Sequence, residues 1–126
     1  MQELLFVLEP RQEFADVIIL EELDEVNEVL FFHAGAVDIG FEINHFKQFV
    51  LRLSKDIIIG AYNMSFNKRT RFIYKAKTYC YGFSIRRSNW KHLMEEEDHL
   101  HISGYLKQSV KLYYEKNIFN IMISEK

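Results

Sequence analysis

The 126-residue sequence has one cysteine, one proline, one tryptophan and five glycines. A single thiol, Cys80, excludes an internal disulfide and suits a reducing setting better than a secreted, cross-linked scaffold. No basic cluster flanks Cys80, so it reads as a small apolar strand residue and not as an activated nucleophile. An excess of one charge is missing too: 16 Lys and Arg stand against 18 Asp and Glu, a net charge of −2. The field that draws a protein onto nucleic acid or anionic lipid is therefore absent, and no nucleic-acid partner is expected. No uncharged apolar stretch approaches the length of a membrane span. The apolar run between Glu3 and Glu9 is too short for a signal peptide. There is no internal repeat, low-complexity tract or linker.

The motifs of common catalytic sites are missing as well. The sequence contains no GxSxG elbow, no CxxC pair and no Walker loop. A metal cupin, the enzymatic reading of a small barrel, needs ligands two apart on strands. His33 and His45 have no such partner, and His99 and His101 lie near a helix start, where that spacing turns them to different faces. Glu21 with Glu22, and Glu95 to Glu97, are neighbours on charged stretches, a poor way to set a desolvated acid beside a base. No catalytic residue and no metal site is nominated, and the chain is not expected to be an enzyme.

What is present is apolar and aromatic, 48% and 15% of the residues, enough for the core of one domain over 1–126. Leu4 to Leu8 is a short apolar run closed by Pro10, whose fixed φ and missing N–H suit a strand end or turn. Val17 to Leu20 reads as a strand buried on both faces, and Glu21 to Glu28 as a solvated acidic turn. Val29 to Phe32 is apolar until His33-Ala34-Gly35 breaks it. Val37, Ile39, Phe41 and Ile43 then alternate with polar or small residues, the period of a half-buried strand. Phe46 to Leu53 is another strand, with Lys47 and Arg52 outward. Phe72, Tyr74 and Ala76 share one face, and Tyr79, Tyr81, Phe83 and Ile85 repeat that pattern.

At Ser88, a plausible N-cap, the period changes. Trp90, Leu93 and Met94 give an apolar face to a helix over about 88–96. The acidic run Glu95 to Asp98 suits a helix start better than a helix end, so a break is expected there. Ile102, Leu106, Val110, Tyr113 or Tyr114, and Ile118 recur at three and four, an amphipathic helix over about 99–118. Gly104 weakens its first turns by roughly 1 kcal/mol. This helix either packs on the barrel or serves as a lid or oligomer contact. The whole is an α+β arrangement: an eight-stranded antiparallel β-roll, jelly-roll-like, over about 3–87, then two C-terminal helices.

Between two strand-like runs, Asp56 to Lys77 forms a loop carrying Gly60, Ala61 and Tyr62, then Lys68, Arg69, Thr70 and Arg71. A glycine that opens a tight turn, followed by guanidinium groups, can aim backbone N–H groups and cations at one anion. The same residues suit an ordinary loop with solvated basic side chains, and the local sequence leaves both readings open.

In order and spacing these pieces resemble a cyclic-nucleotide-binding domain, in the form found in the cytosolic tails of voltage-gated and cyclic-nucleotide-gated cation channels. Val17-Ile-Ile-Leu-Glu-Glu with Asp24 and Glu25, then Val29 to Val37, follow the family's first long hairpin, including Gly35. Thr78-Tyr79-Cys80, Ser84-Ile85-Arg86-Arg87 and Trp90 to Leu93 are closest to channel tails. The resemblance implies that the Asp56–Lys77 loop is a phosphate-binding cassette. Gly60 matches the family's glycine, Arg69 or Arg71 the arginine that pairs with the cyclic phosphate, and Thr70 lies between them. The glutamate that grips the ribose is replaced by Ala61. Losing such a charge-assisted bond weakens binding by about 1.5–3 kcal/mol, one to two decades. Tyr62 and Asn63 are then the substitute polar contacts for cAMP or cGMP, and Tyr105, Leu106 and Val110 the lid side.

Phe119-Asn120-Ile121 is similar to the tripeptide with which ether-à-go-go-type potassium channels fill this pocket as a self-ligand. The alternative is that these residues merely continue the last helix. The resemblance thus implies a regulatory domain on the cytoplasmic face of a membrane, joined to the rest of a potassium-channel chain in a homotetramer. Nucleotide binding is expected to be weak or lost; a true cAMP or cGMP sensor is the rival.

Overall fold

The protein's structure is a computed structural model that describes residues 8–99 and 105–125. Eight strands form among the described residues: β1 (Glu9–Glu13), β2 (Ile18–Leu20), β3 (Glu28–Ala34), β4 (Val37–Ile43), β5 (Phe46–Leu53), β6 (Ile57–Ile59), β7 (Ile73–Ala76) and β8 (Cys80–Arg86). They pair antiparallel in two four-stranded sheets, ordered β1-β8-β3-β6 and β2-β7-β4-β5. The helices are α1 (Ala61–Ser65), α2 (Arg87–His99) and α3 (Tyr105–Tyr114). A π-helical turn, Glu115–Phe119, carries α3 into α4 (Asn120–Glu125). The β-roll with C-terminal helices stands as expected from the sequence. No helix among the described residues is long and apolar enough to cross a membrane.

Two cores explain the order of elements. Inside the roll, Leu30 and Phe32 of β3, Ile57 and Ile59 of β6, Val37, Ile39 and Phe41 of β4, and Phe72, Tyr74 and Ala76 pack together. Tyr114, Ile118 and Met122 of the last helix join that core, all nearly inaccessible. Outside the first sheet, Val29 and Ile85 are covered by Ala61, Met64 and Trp90 of α1 and α2. A sheet covered on both faces needs apolar residues at consecutive positions, which is why Val29 to Phe32 shows no alternation.

Several expectations change in the structure. Of the first apolar run only Leu8 is described; Leu4 to Val7 lie outside the described residues. Pro10 does not end a strand but sits within β1, paired with Phe83, on the sheet edge where a missing N–H breaks no ladder. The short β2 is only partly buried and pairs irregularly with β7. The face shared by Tyr79, just before β8, and by Tyr81 and Phe83 on it is the outer one: they are 44%, 46% and 41% exposed, while Cys80 and Ser84 are buried. The interior is already filled by Phe32, Phe41 and Phe72, so β8 can present only small residues there. Ile85 keeps the aromatics' parity yet is buried, because Trp90 covers that end.

The acidic run does not break the helix, since α2 continues to His99. Leu93 and Met94 dock half-buried on the outer core, each contributing on the order of 1 kcal/mol, which together outweighs the roughly 0.3–1 kcal/mol of a charge at a helix end. Ile102, His101 and Gly104 lie outside the described residues. The Asp56–Lys77 stretch is not one loop: it contains β6, the single turn α1, and β7.

Candidate functional site: the Gly60 turn and the cavity under the last helix

Gly60 ends β6 and opens α1 with φ of +91°. Its main-chain carbonyl accepts from Met64 N–H at 3.0 Å, closing the one-turn helix. A Cβ here would lie 2.7 Å from Val26 Cγ1 and 2.8 Å from the Glu28 carbonyl, so close approach as well as positive φ demands glycine.

The cassette side chains serve the fold. Ala61 is buried in the outer core. Tyr62 stacks on Tyr114, the rings nearly parallel at 4.2 Å. Asn63 is buried and donates through Nδ2 to the Arg69 carbonyl at 3.1 Å. Arg69 turns outward, donating to the Leu23 carbonyl at 3.0 Å and lying 3.9 Å from Glu25 Oε1. Arg71 lies 5.1 Å from the centre of the Phe119 ring, a cation–π contact. Thr70 is buried, and its hydroxyl has no hydrogen-bond partner among the described residues.

Phe119, Asn120 and Ile121 are helical, not a strand laid in a pocket. Phe119 packs at the border of the inner core, and Ile121 is 38% exposed. The residues that do enter the roll are Tyr114, Ile118 and Met122, at intervals of four. Met122 was missed in the sequence because the stripe was ended at Ile118. The π-helical turn keeps the stripe on the core side.

Tyr113 ties the same helix to the edge of the first sheet. Its hydroxyl accepts from Ile58 N–H and donates to the Asp56 carbonyl, each at 3.0 Å. Burial raises the Tyr113 hydroxyl above its usual value. Burial, then the neighbouring Tyr62, pushes Tyr114 up to about 12, with Arg71 opposing. Burial also raises Tyr74 strongly.

Between α1, α2, α3 and the sheets lies a cavity of about 470 Å³. Gly60, Ala61 and Tyr62 form part of its wall, as do Leu106 and Val110. Tyr105 is 69% exposed and forms no part of it. Arg69 and Arg71 are also outside its wall, which has no charged side chain among the described residues. Phe31, Ile58, Trp90, Leu93 and Ser109 were not foreseen; the three isoleucines of β6 were the signal overlooked.

The sequence matches no family model and no curated protein. Among solved structures, the fold is similar to the regulatory domain of Toxoplasma gondii PKA with cAMP (TM-score 0.65, 13% identity), covering 72% of this chain and 36% of that one. It is similar to a cyclic nucleotide-binding-like protein from Brucella abortus (TM-score 0.66, 15% identity), covering 75% of this chain and 81% of that one. The EAL enzyme Bd1971 in its cAMP-bound form also matches (TM-score 0.65, 12% identity), over 86% of this chain and 28% of that one. The fold is that of a cyclic-nucleotide-binding domain. At such identities the likeness extends to the fold, and the chain spans only about a third of the Toxoplasma protein.

Proposed function

We propose that the chain is a non-catalytic regulatory domain in which its own last helix takes the place of a nucleotide. One observation carries this reading: the last helix grips both ends of the cassette, Tyr114 on Tyr62 and Phe119 under Arg71. The same helix sends Ile118 and Met122 into the roll. The self-ligand is thus the Tyr114–Met122 stripe, with Phe119 as its latch, and Asn120 and Ile121 play no part in it. Ala61 offers no acid to a ribose, and Arg69 is committed to Leu23 and Glu25.

The channel setting rests on the sequence pieces around Thr78–Cys80 and Ser84–Leu93. There the domain would sit at the cytoplasmic face, joined to the rest of a potassium-channel chain in a homotetramer. Withdrawing the helix would uncover the cassette, and a gate would respond only by the difference in free energy between the two helix positions. The rival, a true cAMP or cGMP sensor, draws on the cAMP-bound neighbours and on the unpartnered Thr70 hydroxyl.

Calorimetric titration of the whole chain with cAMP and with cGMP separates the two. The regulatory reading expects no dissociation constant tighter than about 100 µM, roughly 5.5 kcal/mol. A value in the low micromolar range for either nucleotide would establish the sensor instead.

A further inference from the structure

We infer that the cavity under α3 binds a neutral, planar aromatic small molecule. The inference stands on the cavity itself and holds whether or not a nucleotide reaches the cassette. At about 470 Å³ the space falls within the size of small-molecule sites, roughly 300–1,000 Å³.

The wall decides the ligand's chemistry. Among the described residues it contains no Lys, Arg, His, Asp or Glu, so a phosphate or carboxylate entering it would lose its hydration with no charge from these residues to replace it. The two arginines of the cassette face elsewhere: Arg69 towards Leu23 and Glu25, and Arg71 over Phe119. Ring-bearing side chains supply much of the surface, among them Phe31, Tyr62, Tyr74 and Trp90. Such faces favour offset or edge contacts with a flat ring. Among the wall residues, Ser109 adds a hydroxyl that can orient one neutral polar group.

Trp90 is the only tryptophan in the chain and lies in the cavity wall, so it reports on occupancy. Neutral N-phenyl-1-naphthylamine, titrated into the whole protein, is expected to brighten with a dissociation constant in the low micromolar range and to quench Trp90 by energy transfer. Val110→Phe, which adds volume inside the wall, should weaken binding about tenfold or more. Leu112→Phe, on the same helix but 61% exposed, should leave it within about twofold. Trp90→Phe should abolish the energy transfer while keeping the probe's own brightening, and circular dichroism of each variant shows that it is folded.

Absence of saturable brightening would overturn the inference, as would equal effects of Val110→Phe and Leu112→Phe. Displacement of the probe by micromolar cAMP would also overturn it, since the cavity would then take an anion. Failure of the probe with silent nucleotide titrations sinks this inference alone. A micromolar nucleotide affinity with the probe undisturbed sinks the regulatory reading alone.

Discussion

A methyl group on Gly60 has nowhere to go. With φ at +91° and Val26 and the Glu28 carbonyl within 2.8 Å of the added carbon, Gly60→Ala is expected to destabilise the fold by about 1–3 kcal/mol, read from denaturant midpoints. Its neighbour gives a sharper test of the site. Ala61→Glu restores the family's acid by sequence, yet Ala61 is 4% exposed among Val26, Val29 and Trp90. A carboxylate there is buried without a partner, so the variant should lose about 3 kcal/mol or more and gain no nucleotide affinity by calorimetry. Tyr114 predicts a pH effect. Unfolded, its hydroxyl ionises near 10.0; folded, it holds its proton to about 12. Between those values the unfolded state carries fewer protons, so stability is complete below the window and falls as pH rises through it. Urea midpoints measured across that window in wild type and Tyr114→Phe should converge if the tyrosine is responsible.

Among the elements, the strand β6 and the last helix need each other. β6 is an edge strand of three residues, and Tyr113 pairs with its outward Ile58 N–H. Tyr113→Phe leaves that N–H without this partner and should cost about 1–2 kcal/mol, with faster hydrogen exchange at Ile58 as the local signature. Element-level physics also shows where pattern reading failed. The alternation on β8 was plain in Tyr79, Tyr81 and Phe83, but alternation says only that two faces differ. Which face is inside was decided by the phenylalanines of other strands, which leave room for Cys80, Gly82 and Ser84 alone. In α2 the acidic run looked like a stop because helix-end electrostatics is visible in sequence, whereas the docking of Leu93 and Met94 that outweighs it is not.

At the scale of the whole molecule, the last helix belongs to the same core as both sheets. Met122→Ala should therefore cost about 2–5 kcal/mol, and Trp90 fluorescence and far-ultraviolet circular dichroism should report one coincident transition. A separate, earlier loss of helix signal would show that the helix is an appendage. The sequence by itself determined the succession of strands then helices, the Gly60 turn and the Leu106–Val110–Ile118 stripe, because these are local periods and backbone demands written in neighbouring residues. Only the tertiary structure decided that Arg69 and Arg71 turn away from the cavity and that Tyr114, Ile118 and Met122 fill the roll. Those outcomes depend on which side chains arrive from far along the chain to compete for the same space, and no local pattern records that competition.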